Sequence, residues 1–381
     1  MWKDLFNGKF ILGSSRLAWI DYARGICIIL VCYRHCFEGL KNAGFPLYNY
    51  PLLQILNICF YSFRMPLFFI ISGMFVSGSL VKRGLGTYVN TRFKVILYPL
   101  LLWGAIQITI QFVLKDYVNA QREPIDYLNL IIYPRRIEQF WYLNALFFVG
   151  ALYALLKTTF RINYWHQLLL GIVLYTIASM IHFTETNGYL FTDVFNYYIY
   201  FAIGDILSNY FLGRKNKKTM LTAPSWLVAS LIVFLASQYL YTILNLRHPT
   251  DFTSYVSDKL PVLSFFISLC GCAFVVQMAF LLQRTGAMKW LRVIGYHSLY
   301  IYLLHVMIIA SVRIFVVHVL HTNNVIAVLI PAMIAGVILP VLLYNLAVRL
   351  GAWWLFSLKK PEDEIKHYSE MTIPLPLKHH A

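Results

Sequence analysis

The feature that most constrains this chain is its succession of apolar runs about 20 residues long, the length at which a helix crosses the hydrocarbon core of a bilayer. Ten such spans are read at about 18–38, 53–80, 94–114, 139–157, 165–182, 193–212, 224–244, 261–282, 294–318 and 325–350. Composition agrees. Of 381 residues, 59% are hydrophobic and 13% charged, against about 25% charged in an average soluble domain. The expected fold is an all-α polytopic membrane bundle of about ten helices. It forms a single transmembrane domain over 1–358, followed by a cytoplasmic tail over 359–381. No connection is long enough for a soluble domain, and no internal repeat or low-complexity tract is visible. A cleaved signal peptide is not expected, because the first apolar segment is long, carries charges and lacks a small-residue cleavage pattern.

A net charge of +16 would suggest nucleic acid in a soluble protein. Here it is better read as a property of loops. One set of connections holds Arg16, Lys82, Arg83, Arg92, Lys94, Lys157, Arg161, Lys215, Arg284, Lys289 and Arg292; the other holds few cations, such as Lys41, Lys115 and Arg247. Cytoplasmic loops carry the excess of Lys and Arg, so both termini are expected inside. All six cysteines (Cys27, Cys32, Cys36, Cys59, Cys270 and Cys272) lie in apolar runs and read as small buried residues rather than a disulfide framework.

Ionisable residues interrupt these runs. In "RGICIILVCYRH", Arg24 and His35 are eleven residues apart. On a helix they share one face and are separated by about 16 Å along the axis. Even the most lenient insertion scale charges an arginine at mid-membrane about 2.5 kcal/mol, so such residues usually mark a pathway or a site. Asp21 stands three residues before Arg24 and is placed to pair with it; an interfacial ion pair is the plainer reading. In "FRMPLFFIISGMF", Arg64 is buried midway along span two and Pro66 is expected to kink the helix there. Ser72–Gly73 allows a backbone or ligand to approach closely. "QFWYLNALF" places Trp141 at the start of span four, where an aromatic belt would also account for it. "IGYHSLYIYLLH" places His297 and Tyr302 before a deeper His305; a lone histidine of this sort is more often a satisfied packing residue than a functional one. Cys32, His35 and Cys36 have ligand-like spacing, but a metal site needs further partners, and none is expected.

These motifs, in order along nearly the whole chain, resemble the bacterial acyltransferase-three family. Arg24 and His35 are similar to its arginine, ten residues, histidine signature. "MPLFFIISGMF" resembles its phenylalanine-rich serine–glycine motif, and "TRFKVILYPLL" its basic-to-proline element. "FWYLNALF", "YFAIGDIL" and "GYHSLYIYLLH" resemble three later elements. The combination of "FRMP" with "WYLNAL" looks most like an uncharacterised inner-membrane branch. The resemblance implies an O-acyltransferase of the bacterial inner membrane. Such an enzyme moves an acetyl or other short acyl group from acetyl-CoA, a substrate rather than a tightly bound cofactor, to a hydroxyl of a cell-surface glycan or lipid-linked precursor.

Under that reading Arg24 holds donor groups, since guanidinium matches phosphate and carbonyl oxygens. His35 takes the proton from the acceptor hydroxyl. Arg64 or Tyr302 would meet the thioester oxyanion, and Arg92 and Lys94 the coenzyme A phosphates. Ser72, Trp141 and His305 complete the expected substrate-binding set. Direct transfer and an acyl-enzyme relay both remain open. So do a transporter or flippase of lipid-linked sugars that uses the same residues as a polar path, and a structural partner in a synthesis complex.

Overall fold

A bilayer offers no water to backbone amides, so a spanning chain must satisfy them within helices. A computed structural model of the protein describes residues 6–13, 16–212, 222–248 and 254–360. It is helical throughout, with no strand among the described residues. The helices that matter here are α1 (Ala18–Asn42), α2 (Pro51–Cys59), α3 (Arg64–Gly73), α4 (Val76–Arg92), α5 (Tyr98–Val113), α6 (Trp141–Thr158) and α7 (Tyr164–Phe183). They continue with α8 (Tyr189–Leu212), α9 (Pro224–Leu246), α10 (Pro261–Thr285), α11 (Trp290–Tyr296), α12 (Ser298–His318) and α13 (Val325–Arg349).

Each of the ten expected spans falls on one of these helical segments. By length and composition, eight segments among the described residues can cross a membrane: 51–73, 76–113, 134–158, 164–183, 224–246, 261–285, 298–318 and 325–349. The other two expected spans are α1 and α8, 25 and 24 residues long. They carry buried charge, Asp21 in α1 and Asp193 and Asp205 in α8. Outward faces are apolar: α7 exposes Leu169, Ile172 and Val173, and α9 exposes Val228, Ile232 and Leu235. Lys3, the Arg214–Lys218 loop and residues 361–381 of the expected tail lie outside the described residues.

Span two departs from expectation in an instructive way. It is broken rather than kinked, and the break comes before Pro66. Helix α2 stops at Cys59 and α3 begins at Arg64. A continuous helix would bring the Pro66 ring against the carbonyl of Ser62, four residues back. In the structure Pro66 sits in the first turn of α3, where a missing N–H costs nothing. The freed carbonyl of Ser62 accepts the Ser268 hydroxyl at 2.9 Å, while the Phe63 carbonyl accepts the Leu67 amide at 3.0 Å and also faces the Cys272 thiol at 3.4 Å. The Ser62 hydroxyl donates to Gln238 at 3.0 Å. Irregular backbone at membrane depth is tolerated where it is buried in protein or lines a cavity, and this break does both. Span two also ends at Gly73 rather than 80, with α4 continuing as a separate helix.

The ends bearing the basic loops are tied by long-range contacts. Half-buried Lys157 pairs with buried Asp205 and Ser77, and Tyr153 donates to the same carboxylate at 2.8 Å. The Leu358 amide donates to the Lys94 carbonyl at 3.1 Å. Helices meet closely in this half. A side chain at Gly73 would clash with the carbonyl of Phe201, and one at Gly204 with that of Ile70, so α3 and α8 touch backbone to backbone. Gly25 on α1 and Gly295 on α11 form a second such contact. The small residues of "SGMF", "IGDI", "ARGI" and "IGYH" thus serve packing.

Candidate functional site

The opposite half of the bundle encloses a cavity of about 670 Å³. Its mouth is built from Asn42, Asn119, Glu138 and Asp258, at the ends away from the basic loops. Its depth is reached by the broken span, through Tyr61, Ser62, Arg64 and Pro66, and by His35, Trp141 and Tyr302.

The break in span two therefore points Arg64 into this space. Arg64 is 4% exposed. Its guanidinium donates to the Leu30 carbonyl at 2.9 Å and lies over the Tyr61 ring, 5.0 Å from the centroid. Its buried Nε has no hydrogen-bond partner, and no carboxylate pairs with it among the described residues. The neighbouring cation Arg34 covers the same ring at 4.6 Å and bridges Glu38 at 3.3 Å.

His35 and His305 are brought together. Their rings meet edge-on with centroids 5.0 Å apart. His305 is fully buried. Its Nδ1 lies 3.0 and 2.9 Å from the carbonyls of Ile301 and Tyr302. Only a protonated Nδ1 can donate there, so in the neutral ring the lone pair sits on Nε2, which is buried and unpartnered. His297 differs in kind. Its Nδ1 faces the Val293 carbonyl at 2.8 Å and its Nε2 faces the Asn345 amide at 3.2 Å, so both nitrogens are used in packing.

A polar chain holds one wall. The Tyr302 hydroxyl donates to the Gln139 carbonyl, and the Gln139 amide to Gln107 at 2.8 Å. Gln107, Gln111 and Arg122 then converge on the Glu138 carboxylate at 3.3, 3.2 and 3.0 Å. Glu138 holds φ +50, a left-handed conformation costly for such a residue. Opposite, Arg135 grips Asp193 through Nε and a terminal nitrogen, and lies 4.6 Å over Trp141. In the nearby loop, Asp126 is held below the usual carboxylate range. Burial opposes this, but hydrogen bonds from Asn129 and the Glu123 amide and the charge of Arg136 outweigh it.

The expected residues thus divide into groups. His35, Arg64, Trp141 and Tyr302 line the cavity, with His305 against His35. Ser72 is buried in α3, beside the Gly73 contact, and is not part of the cavity wall. Arg24, Arg92 and Lys94 stand apart, toward the basic end. Asp21 takes a salt bridge from Arg16 at 3.1 Å, with Arg24 also in electrostatic reach. Arg92 lies over the Tyr88 ring at 5.2 Å, and Lys94 falls in a π-helical turn, Phe93–Leu97. The charges of Arg24 and Arg92 both reach Tyr142. The Tyr142 ring is 5.0 Å from Tyr302, which is 5.7 Å from His305. Tyr142, absent from the expected set although it sits in "FWYL", thus links the basic end to the histidines. Cys32 and Cys36 face carbonyls of α13, those of Gly336 and Leu329, and among the described residues no three metal-ligating side chains cluster.

Fold and site together define a polytopic helical membrane protein with a cavity lined by His35, which packs against the buried His305. The chain belongs to the acyltransferase-three family, whose model, described as an acyltransferase domain, matches residues 17–345. It is also similar to the nodulation protein NolL of Mesorhizobium japonicum, at 28% identity over 152 residues, 40% of this chain. That match covers 39% of the relative's length. No solved structure matches the chain.

Proposed function

We propose that this protein transfers an acetyl or other short acyl group from acyl-CoA on the basic, cytoplasmic side of a bacterial inner membrane to a hydroxyl of a glycan or lipid-linked glycan that enters the cavity from outside. The observation that carries this reading is the pairing of His35 with His305 beside a cavity that also exposes Arg64. His35 takes the proton of the acceptor hydroxyl as its oxygen attacks the thioester carbonyl. His305, its Nδ1 tied to two carbonyls, offers a fixed lone pair to the charge that builds on His35. Arg64, at the N-terminus of α3, faces the developing oxyanion, where a preorganised cation and helix dipole act together. Collapse breaks the C–S bond, and the thiolate leaves and is protonated to free coenzyme A. Arg24, Arg92 and Lys94 hold the donor, and the aromatic path through Tyr142 and Tyr302 lies between them and the histidines.

The test is transfer of labelled acetyl from acetyl-CoA to membrane glycan by the purified protein in nanodiscs, with release of free thiol. Expected is an alkali-labile ester formed by the wild type and lost in His35→Ala. No thioester consumption by the wild type would overturn the reading in favour of a flippase.

A further inference from the structure

The charges around the cavity do not cancel. Arg34 is paired with Glu38, Arg135 with Asp193, and Glu138 with Arg122. Asp258 lies at the far rim against His182. Two cations of the wall, Arg64 and Arg313, are left without a carboxylate within salt-bridge distance among the described residues. Arg313 is 6% exposed, and its one described hydrogen bond runs to the Gly39 carbonyl at 2.7 Å. Glu138 acts on Arg313 only from beyond salt-bridge distance and is itself engaged by Arg122; a buried cation with no carboxylate in direct contact keeps much of its desolvation cost until an anion joins it.

The two arginines take different places along α1. Arg64 is bound at Leu30, about 7.5 Å before His35 along the axis, and Arg313 at Gly39, about 6 Å beyond it. Gly39 is one turn past His35 on the same face. Arg64 therefore stands on the donor side of His35 and Arg313 on the side of the mouth. Arg313 is fixed on α12, the helix that carries His305, so its distance from the histidine pair is set by the fold.

We propose that Arg313 recognises an anionic group, a phosphate or a carboxylate, that the acceptor carries about one helical turn outward of the hydroxyl it presents to His35. This rests on the acyl-transfer reading and adds that the acceptor is acidic. A guanidinium suits either group through two parallel hydrogen bonds. A lipid-linked sugar would supply a phosphate, and a glycan with uronic acid residues a carboxylate.

The experiment measures binding to full-length protein in nanodiscs, without donor, using two matched pairs of probes. One pair is a polyprenyl phosphate and the corresponding polyprenol; the other is a methyl glucuronoside and methyl glucoside. Expected is tighter binding of one anionic probe than of its neutral partner by wild type. Arg313→Gln should reduce that preference at least tenfold, and Arg313→Lys should restore it only in part. The responding pair identifies phosphate or carboxylate as the group. If Arg313→Gln does not yield a monodisperse protein, Arg313→Lys alone must lower the preference severalfold. Equal binding of anionic and neutral probes by wild type, or a preference unchanged in the folded variants, overturns the inference. Because no thioester is present, that failure would leave the acyl-transfer reading standing.

Discussion

The imidazole rings of His35 and His305, 270 positions apart in the sequence, meet edge-on with centroids 5.0 Å apart. One ring faces the cavity. The other is buried behind it with one nitrogen bound to backbone and one left open. Under the proposed transfer this arrangement assigns the two histidines separable roles.

His35→Ala should fold, bind coenzyme A and lose glycan acylation about a hundredfold or more, the usual size of a general-base contribution. His305→Asn keeps a donor for the carbonyls of Ile301 and Tyr302 but removes the free lone pair. It should lower turnover about tenfold while leaving donor affinity intact. The double variant should be no slower than His35→Ala alone, because groups acting as a unit are not additive. Independent, multiplying losses in the double variant would show that the pair does not act together.

Arg64 is expected to act in the transition state rather than in binding. Arg64→Gln should cut turnover by about 10²–10³, the range for losing one oxyanion donor, with little change in the donor KM. Arg64→Lys should not rescue it, since a point charge cannot keep the Leu30 bond and reach the oxyanion together. Steady-state kinetics in which only KM moves would assign Arg64 to substrate holding instead.

On the basic side, Arg24→Ala and the Arg92→Ala/Lys94→Ala pair should each weaken coenzyme A binding about 10- to 100-fold, as for lost hydrogen bonds to a charged group. Arg24→Lys should also be poor. Calorimetric titration with coenzyme A decides it, and unchanged affinity in all three would move the donor site elsewhere.

Gly73→Ala and Gly295→Ala should each destabilise the bundle by about 1–3 kcal/mol, the cost of overpacking. Each added methyl meets a backbone carbonyl that cannot rotate away. Gly78→Ala, with nothing within 4 Å, is the matched control. Melting curves in which the three variants coincide would remove the packing role given to the first two.

The spans were legible because length and apolarity dictate them, and Arg24, His35 and Arg64 were legible because charge in an apolar run has few explanations. What was hidden depends on contacts between distant segments. Arg135 meets Asp193 across 58 positions, and Arg313 meets Gly39 across 274. Neither helix carries a local sign of its partner. His305 reads as packing or as function from its sequence, which carries no sign that it meets His35. A proline in an apolar run reads as a kink at its own position, so Pro66 points to a break later than the one after Cys59. Its ring instead fixes where the following helix can begin. Ser72 stands in the same motif, but the close helix contact there is made by its neighbour Gly73.

The two glycine contacts carry a mechanical consequence. Gly25–Gly295 and Gly73–Gly204 weld the bundle in the half nearer the basic loops, while the other half is parted around the cavity. The welded half therefore has little room to yield, whereas the other half can shrink into its own cavity. Lipids with small headgroups, which raise pressure among the chains, should squeeze the cavity half, whereas the welded half should not respond.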